Sequence, residues 1–116
     1  MPYPTPLLDK AIANRRQQNE QQRLIMIEQV IRWLESKAQN YGIPQAYLFG
    51  SVVRPYGFGR YSDIDLAVEM IDPNYFFQAM AKLSERVGRD VDLVELSKCS
   101  FGDRIRQQGL LWKPQV

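Results

Sequence analysis

Tyr47-Leu48-Phe49-Gly50-Ser51-Val52-Val53-Arg54, followed by Ser62-Asp63-Ile64-Asp65-Leu66, decides the reading of this chain. Ala46 to Phe49 is a short apolar run that predicts a buried strand, and Gly50-Ser51 makes a turn directly after it. Asp63 to Glu69 alternates: Asp63, Asp65, Ala67 and Glu69 fall on one face, Ile64, Leu66 and Val68 on the other. That is the period of a strand. A later stretch, Asp90-Val91-Asp92-Leu93-Val94-Glu95-Leu96, predicts a third, acidic strand over 91–96.

Residues two apart on a strand share a face, so the Asp63 and Asp65 carboxylates lie close together. Two bare carboxylates side by side resist joint ionisation, and a divalent cation removes the conflict. Asp92 on a neighbouring strand completes the oxygen set. It is preferred over Asp90 because it sits inside an apolar run, where an acid needs a reason. Two cations about 4 Å apart clamp the attacking and leaving oxygens of an in-line phosphoryl displacement.

Gly50 permits a tight turn and close approach of backbone to a ligand. A helix starting at Ser51 would aim free N–H groups and its positive end at a phosphate. The Ser51 hydroxyl adds a donor, and Arg54, one turn on, adds a charge-assisted contact. A lone D-x-D or a lone Gly-Ser is commonplace. Their combination with an acid in a third strand points to a phosphate-and-metal site, with chemistry on a nucleoside triphosphate.

Composition narrows the chemistry further. The 116 residues make one domain. An apolar fraction of 45% with 13 aromatics (2 Trp, 6 Tyr, 5 Phe) argues for a folded core rather than disorder. Fifteen basic and 13 acidic residues are evenly spread, without the basic stripe of generic nucleic-acid binding, so no direct nucleic-acid contact is expected. There is no histidine and only Cys99, which excludes a disulfide within the chain and imidazole catalysis and argues against zinc. Carboxylate ligands select Mg²⁺ or Mn²⁺. No apolar run is long enough to span a bilayer and the first residues do not read as a signal peptide, so the expectation is a cytoplasmic protein off the membrane.

Around this centre the chain reads as helices. Thr5-Pro6 is a cap-plus-proline start. Leu24, Ile27, Ile31, Leu34, Ala38 and Tyr41 have helical spacing. Either one helix runs from 6 to about 40, or two meet in the polar stretch 14–23, which reads as a solvated face. Gly42 and Pro44 end it. Val52 to Arg54 starts a short helix, and 55–61 is a loop rich in Gly and aromatics. Tyr56, Phe58 and Tyr61 there more often pack on their own domain than stack on a base. Asp72-Pro73 opens the next helix, with Phe76, Met80, Leu83 and Val87 as its buried stripe and Gly88 as its end. A short helix over 100–108 and an apolar Gly109–Trp112 segment close the chain. Cys99 reads as a small packing residue.

At Gly50-Ser51-Val52-Val53-Arg54, Ser62-Asp63-Ile64-Asp65-Leu66 and Val91-Asp92-Leu93-Val94 the chain resembles the minimal nucleotidyltransferases, the MNT group of the DNA polymerase beta-like superfamily. The resemblance covers about residues 45–112. It implies an α/β (α+β) fold: a small mixed sheet of three or four strands flanked by helices. Residues 1–42 then form a helical extension packed on a 43–116 core within one domain. It implies that Asp63 and Asp65 bind both metals, that Asp92 binds the catalytic one, and that Gly50 and Ser51 hold the triphosphate of ATP, with Arg54 beside them. The family usually has Gly after the arginine, where this chain has Pro55, and the loop to Ser62 is about one residue longer.

Such proteins are often antitoxins paired with a HEPN-type RNase toxin, and the resemblance implies transfer of AMP from ATP to a tyrosine of that partner. Two functions compete. One is this protein adenylyltransferase. The other is a non-catalytic antitoxin, a binding module that neutralises its partner by complex formation. Both a homodimer and a hetero-oligomer are open to it.

Overall fold

The computed structural model describes residues 6–115, so the Thr5 cap lies outside the described residues. The polar stretch after residue 13 holds good helix formers and neither Gly nor Pro, and nothing interrupts the backbone ladder. One helix results: α1 (Pro6–Tyr41) runs unbroken for 36 residues. Its buried line is Arg23, Met26, Val30, Trp33, Leu34, Ala38 and Tyr41. The expected line through Leu24, Ile27 and Ile31 is displaced: Leu24 is 54% exposed, and Ile27 and Ile31 are half-buried. Two neighbouring lines of α1 are apolar at helical spacing. The one carrying Trp33, whose ring stacks on Tyr41 at 5.6 Å, takes the core.

Four strands follow: β1 (Ala46–Phe49), β2 (Ile64–Val68), β3 (Val91–Glu95) and β4 (Leu110–Trp112). They form one mixed sheet in the order β3-β2-β1-β4. β1 runs antiparallel to both β2 and β4. β2 and β3 are parallel. A parallel pair needs a crossover, and α2 (Phe76–Val87) supplies it. Asp72 accepts the Asn74 N–H at 3.0 Å, and a 3₁₀ turn, Pro73–Tyr75, leads into the helix. Gly88, with φ 69°, ends it in the left-handed conformation that costs glycine little. The short α3 (Gly102–Gln108) delivers the last apolar segment as β4, an edge strand of three residues.

Strand alternation divides the sheet into two faces. Ala46, Leu48, Ile64, Leu66, Val68, Val91 and Leu93 join Met26, Val30, Leu34 and Leu83 in the main core under α1 and α2. Tyr47 and Ala67 turn the other way and meet Leu96 and Ile105, with Phe49, Val94 and Cys99 at the margin. This second face is covered only in part. Arg106 of α3 fastens the covered end, donating from Nε and Nη2 to the two Glu69 carboxylate oxygens at 2.8 and 2.9 Å. Asp65 and Asp92 share this face by strand period, towards its open end. Among the described residues no helix is long and apolar enough to cross a membrane.

Candidate active site

The parallel register brings two acids side by side. Asp65 of β2 is the direct partner of Asp92 of β3. The Asp65 carboxyl is pushed above its ordinary value, first by burial and then by the charges of Asp92 and Asp63. Asp63 stands just before β2, exposed, and Asp92 is exposed as well, while Asp65 is half-buried. Asp90 also lies ahead of its strand, and its carbonyl accepts the Ile64 N–H at 2.9 Å, holding the starts of β2 and β3 together.

These oxygens suit a hard divalent cation, since mutual repulsion between Asp65, Asp92 and Asp63 is what a cation would relieve. They do not form a finished nest: among the described residues no group of three His, Cys, Asp or Glu side chains is gathered closely enough to hold a metal ion. Asp65 and Asp92 are drawn together. Asp63 influences Asp65 only through its charge.

Gly50 meets this pair from β1. Phe49 is paired with Asp65 across the antiparallel ladder, so the turn after β1 lies over the Asp65 side chain. Gly50 has φ 76°, and a Cβ there would collide with an Asp65 carboxylate oxygen. The positive φ therefore favours glycine, and a larger residue would have to push the Asp65 carboxylate aside. The next residues form a single 3₁₀ turn, Gly50–Val53, rather than the helix expected from Ser51. The cause is Pro55: it lacks an N–H, and it restricts Arg54 to extended backbone (φ −98°, ψ 120°), which stops helix growth after one turn. Phosphate binding here would rest on individual N–H groups, the half-buried Ser51 and the exposed Arg54, with little help from a helix dipole.

The loop from Arg54 to Ser62 is held from two sides. At its far end the Arg89 guanidinium donates to the Gly59, Arg60 and Ser62 carbonyls at 3.0, 3.2 and 2.8 Å. It lies over the Phe58 ring at 4.3 Å. Burial lowers the Arg89 pKa, opposed by the charge of Asp63. Ser62 Oγ accepts the Gly59 N–H at 2.8 Å, closing a turn ahead of Asp63. Phe58 is buried in the core, while Tyr56 and Tyr61 are exposed. At the near end Tyr56 has φ 59°, a left-handed conformation costing a non-glycine residue about 1–2 kcal/mol. Its N–H donates to Glu20 Oε2 of α1 at 2.8 Å, and the Arg16 guanidinium lies 5.0 Å from its ring.

The α1 contacts and Arg89 were not read from the sequence. One signal was there: Arg23 is in phase with Met26, Val30 and Trp33, with Glu20 one turn before it. A charge on a buried line needs a partner, but which line of α1 is buried is decided only by the tertiary structure.

A family model described as polymerase beta, nucleotidyltransferase matches residues 28–112. No curated protein matches the chain. Among solved structures, a chain in the crystal structure of the toxin–antitoxin MntA-HepT is 26% identical, with a TM-score of 0.55, over 79% of this chain and 74% of that one. A chain in the crystal structure of a toxin–antitoxin with AMP-PNP is 30% identical, with a TM-score of 0.59, over 76% of this chain and 73% of that one.

Proposed function

The chain belongs to the polymerase beta nucleotidyltransferase family, and from that premise we propose that it transfers AMP from ATP to a hydroxyl of a partner toxin, as the antitoxin of a toxin–antitoxin pair. The observation that carries this reading is the pairing of Asp65 with Asp92 beneath the Gly50 turn. That register would let a cation bound by the acids and the phosphates of a nucleotide meet at one point, which supports the reading. The similarity to chains of toxin–antitoxin structures, one of them with AMP-PNP, supports both the partner class and the adenine nucleotide.

In this reading the acceptor hydroxyl, a tyrosine of a HEPN-type toxin, attacks the α-phosphorus. The bond to the bridging oxygen breaks, pyrophosphate leaves, and the hydroxyl proton passes by way of Asp92. Asp63 and Asp65 would hold two Mg²⁺ or Mn²⁺ ions and Asp92 the one nearer the acceptor. Bound divalent ions supply neutralisation of the phosphate oxygens and a lower acceptor pKa. Gly50 and Ser51 would hold the triphosphate, with Arg54 at its edge. The test is intact mass of the protein and a candidate HEPN-type toxin after incubation together with Mg-ATP. An adenylyl-sized gain on the partner, absent with Asp63→Asn and Asp65→Asn, is expected. Equal gain with both variants would sink the reading.

One observation favours a second reading, a non-catalytic antitoxin. The first turns of α1 lie outside the core, with Leu7 81% and Ile12 52% exposed. If this arm alone neutralises the partner, deleting residues 1–14 abolishes neutralisation while Asp63→Asn retains it.

A further inference from the structure

We propose that Glu20 and Arg23 of α1 are positioning residues for nucleotide binding, bracing the turn that carries Ser51 and Arg54. The inference rests on the nucleotide-binding part of the proposed function. Arg23 is 8% exposed, on the same line of α1 as Met26 and Val30. A guanidinium there is tolerated only if paired, and its partners are specific. Nε and Nη2 donate to the Glu20 carboxylate, Nε at 2.9 Å, and Nη1 donates to the Val52 carbonyl at 3.0 Å. Each partner shifts the other toward its charged form: Glu20 falls below its ordinary value and Arg23 rises above its own, the hydrogen bond between them being the main cause.

The pair holds the turn at two points. Val52, itself fully buried, is fixed through its carbonyl. Tyr56 is fixed through its N–H on Glu20. Arg54 and Pro55 lie between these anchors. Tyr56 needs an anchor, because its left-handed backbone persists only where the surroundings impose it. A single 3₁₀ turn has few internal bonds to define its shape. The positions of the Gly50 and Ser51 N–H groups and of Arg54 therefore depend on contacts from outside, and α1 supplies them. No hydrogen bond joins Glu20 or Arg23 to Asp63, Asp65 or Asp92 among the described residues, so their effect belongs to binding rather than to the transfer step.

The test uses the full chain and Mg²⁺ with AMP-PNP as probe. Affinity is measured by calorimetry, and transfer kinetics are measured for the same proteins. Glu20→Ala and Arg23→Met are expected to weaken AMP-PNP binding about tenfold and to raise KM for ATP by a similar factor. Turnover at saturating ATP should stay within about threefold of wild type. The double variant should be scarcely worse than either single one, because the two residues act as a unit. Glu20→Asp, which keeps the charge but shortens the reach, should fall between.

If Arg23→Met does not fold, the half-buried Glu20 variants carry the test alone. Folded variants with wild-type affinity and KM would overturn the brace while leaving the transferase reading intact. Equal loss in KM and turnover would overturn the positioning role in favour of general destabilisation. Wild-type protein that binds no Mg-AMP-PNP overturns the brace together with the reading on which it rests.

Discussion

Asp65 is the residue at which the fold and the proposed chemistry conflict. Its folded-state pKa is raised, so the folded protein binds that proton more tightly than the unfolded chain does. Ionising Asp65 therefore opposes folding. The opposition is absent below the ordinary carboxylate range, grows as pH rises through it, and is complete above the raised value. Asp65→Asn should accordingly raise the melting temperature of the metal-free protein at pH 7, and the gain should vanish in acid. Thermal melts across pH check this. Mg²⁺ should stabilise wild type and leave Asp65→Asn unmoved. Gly50→Ala makes the opposite trade: it needs a positive φ and drives a methyl into the Asp65 carboxylate. We expect a loss of about 1–3 kcal/mol in denaturant titrations, together with loss of nucleotide binding.

Among the elements, α1 and the 3₁₀ turn show how far sequence pattern reaches. The sequence leaves one helix or two open across 6–41, and on the single helix that forms two apolar lines compete. Burial of Trp33 and Tyr41 against the sheet, a tertiary fact, selects between them. The turn after β1 is shorter than Gly-Ser alone predicts, because Pro55 ends it, and that proline was in plain view. The first turns of α1 touch little of the core, so deleting residues 1–14 should leave the melting temperature within about 2 °C, in line with the small effect of exposed positions. α3 depends instead on Arg106 and Glu69. The Arg106 hydrogen bonds hold the Glu69 carboxyl below its ordinary value. The resulting stability is present above the ordinary carboxylate range and is lost as pH falls through the lowered one. Arg106→Met should therefore cost melting temperature at pH 7, and its deficit should shrink as pH falls below the ordinary Glu range.

In the whole molecule β2 is the centre, with β1 and β3 on its two sides and every core-facing residue sealed. Leu66→Ala removes a fully buried side chain there and should cost about 2–5 kcal/mol by denaturant titration. The sequence by itself indicated the first three strands with their faces and the helices around them, and offered the candidate site residues Gly50, Ser51, Arg54, Asp63, Asp65 and Asp92, while leaving the segment that becomes β4 unassigned to the sheet. Strand period and the chemistry of turns and acids are local properties, readable over a few residues. Only the tertiary structure decided that β2 and β3 lie parallel with Asp65 beside Asp92, that Arg89 pins the loop before Asp63, and that Glu20 and Arg23 reach the turn after β1. Those contacts join residues about 27 to 36 positions apart. Their geometry is set by how α1 and α2 settle on the sheet, which no local periodicity records.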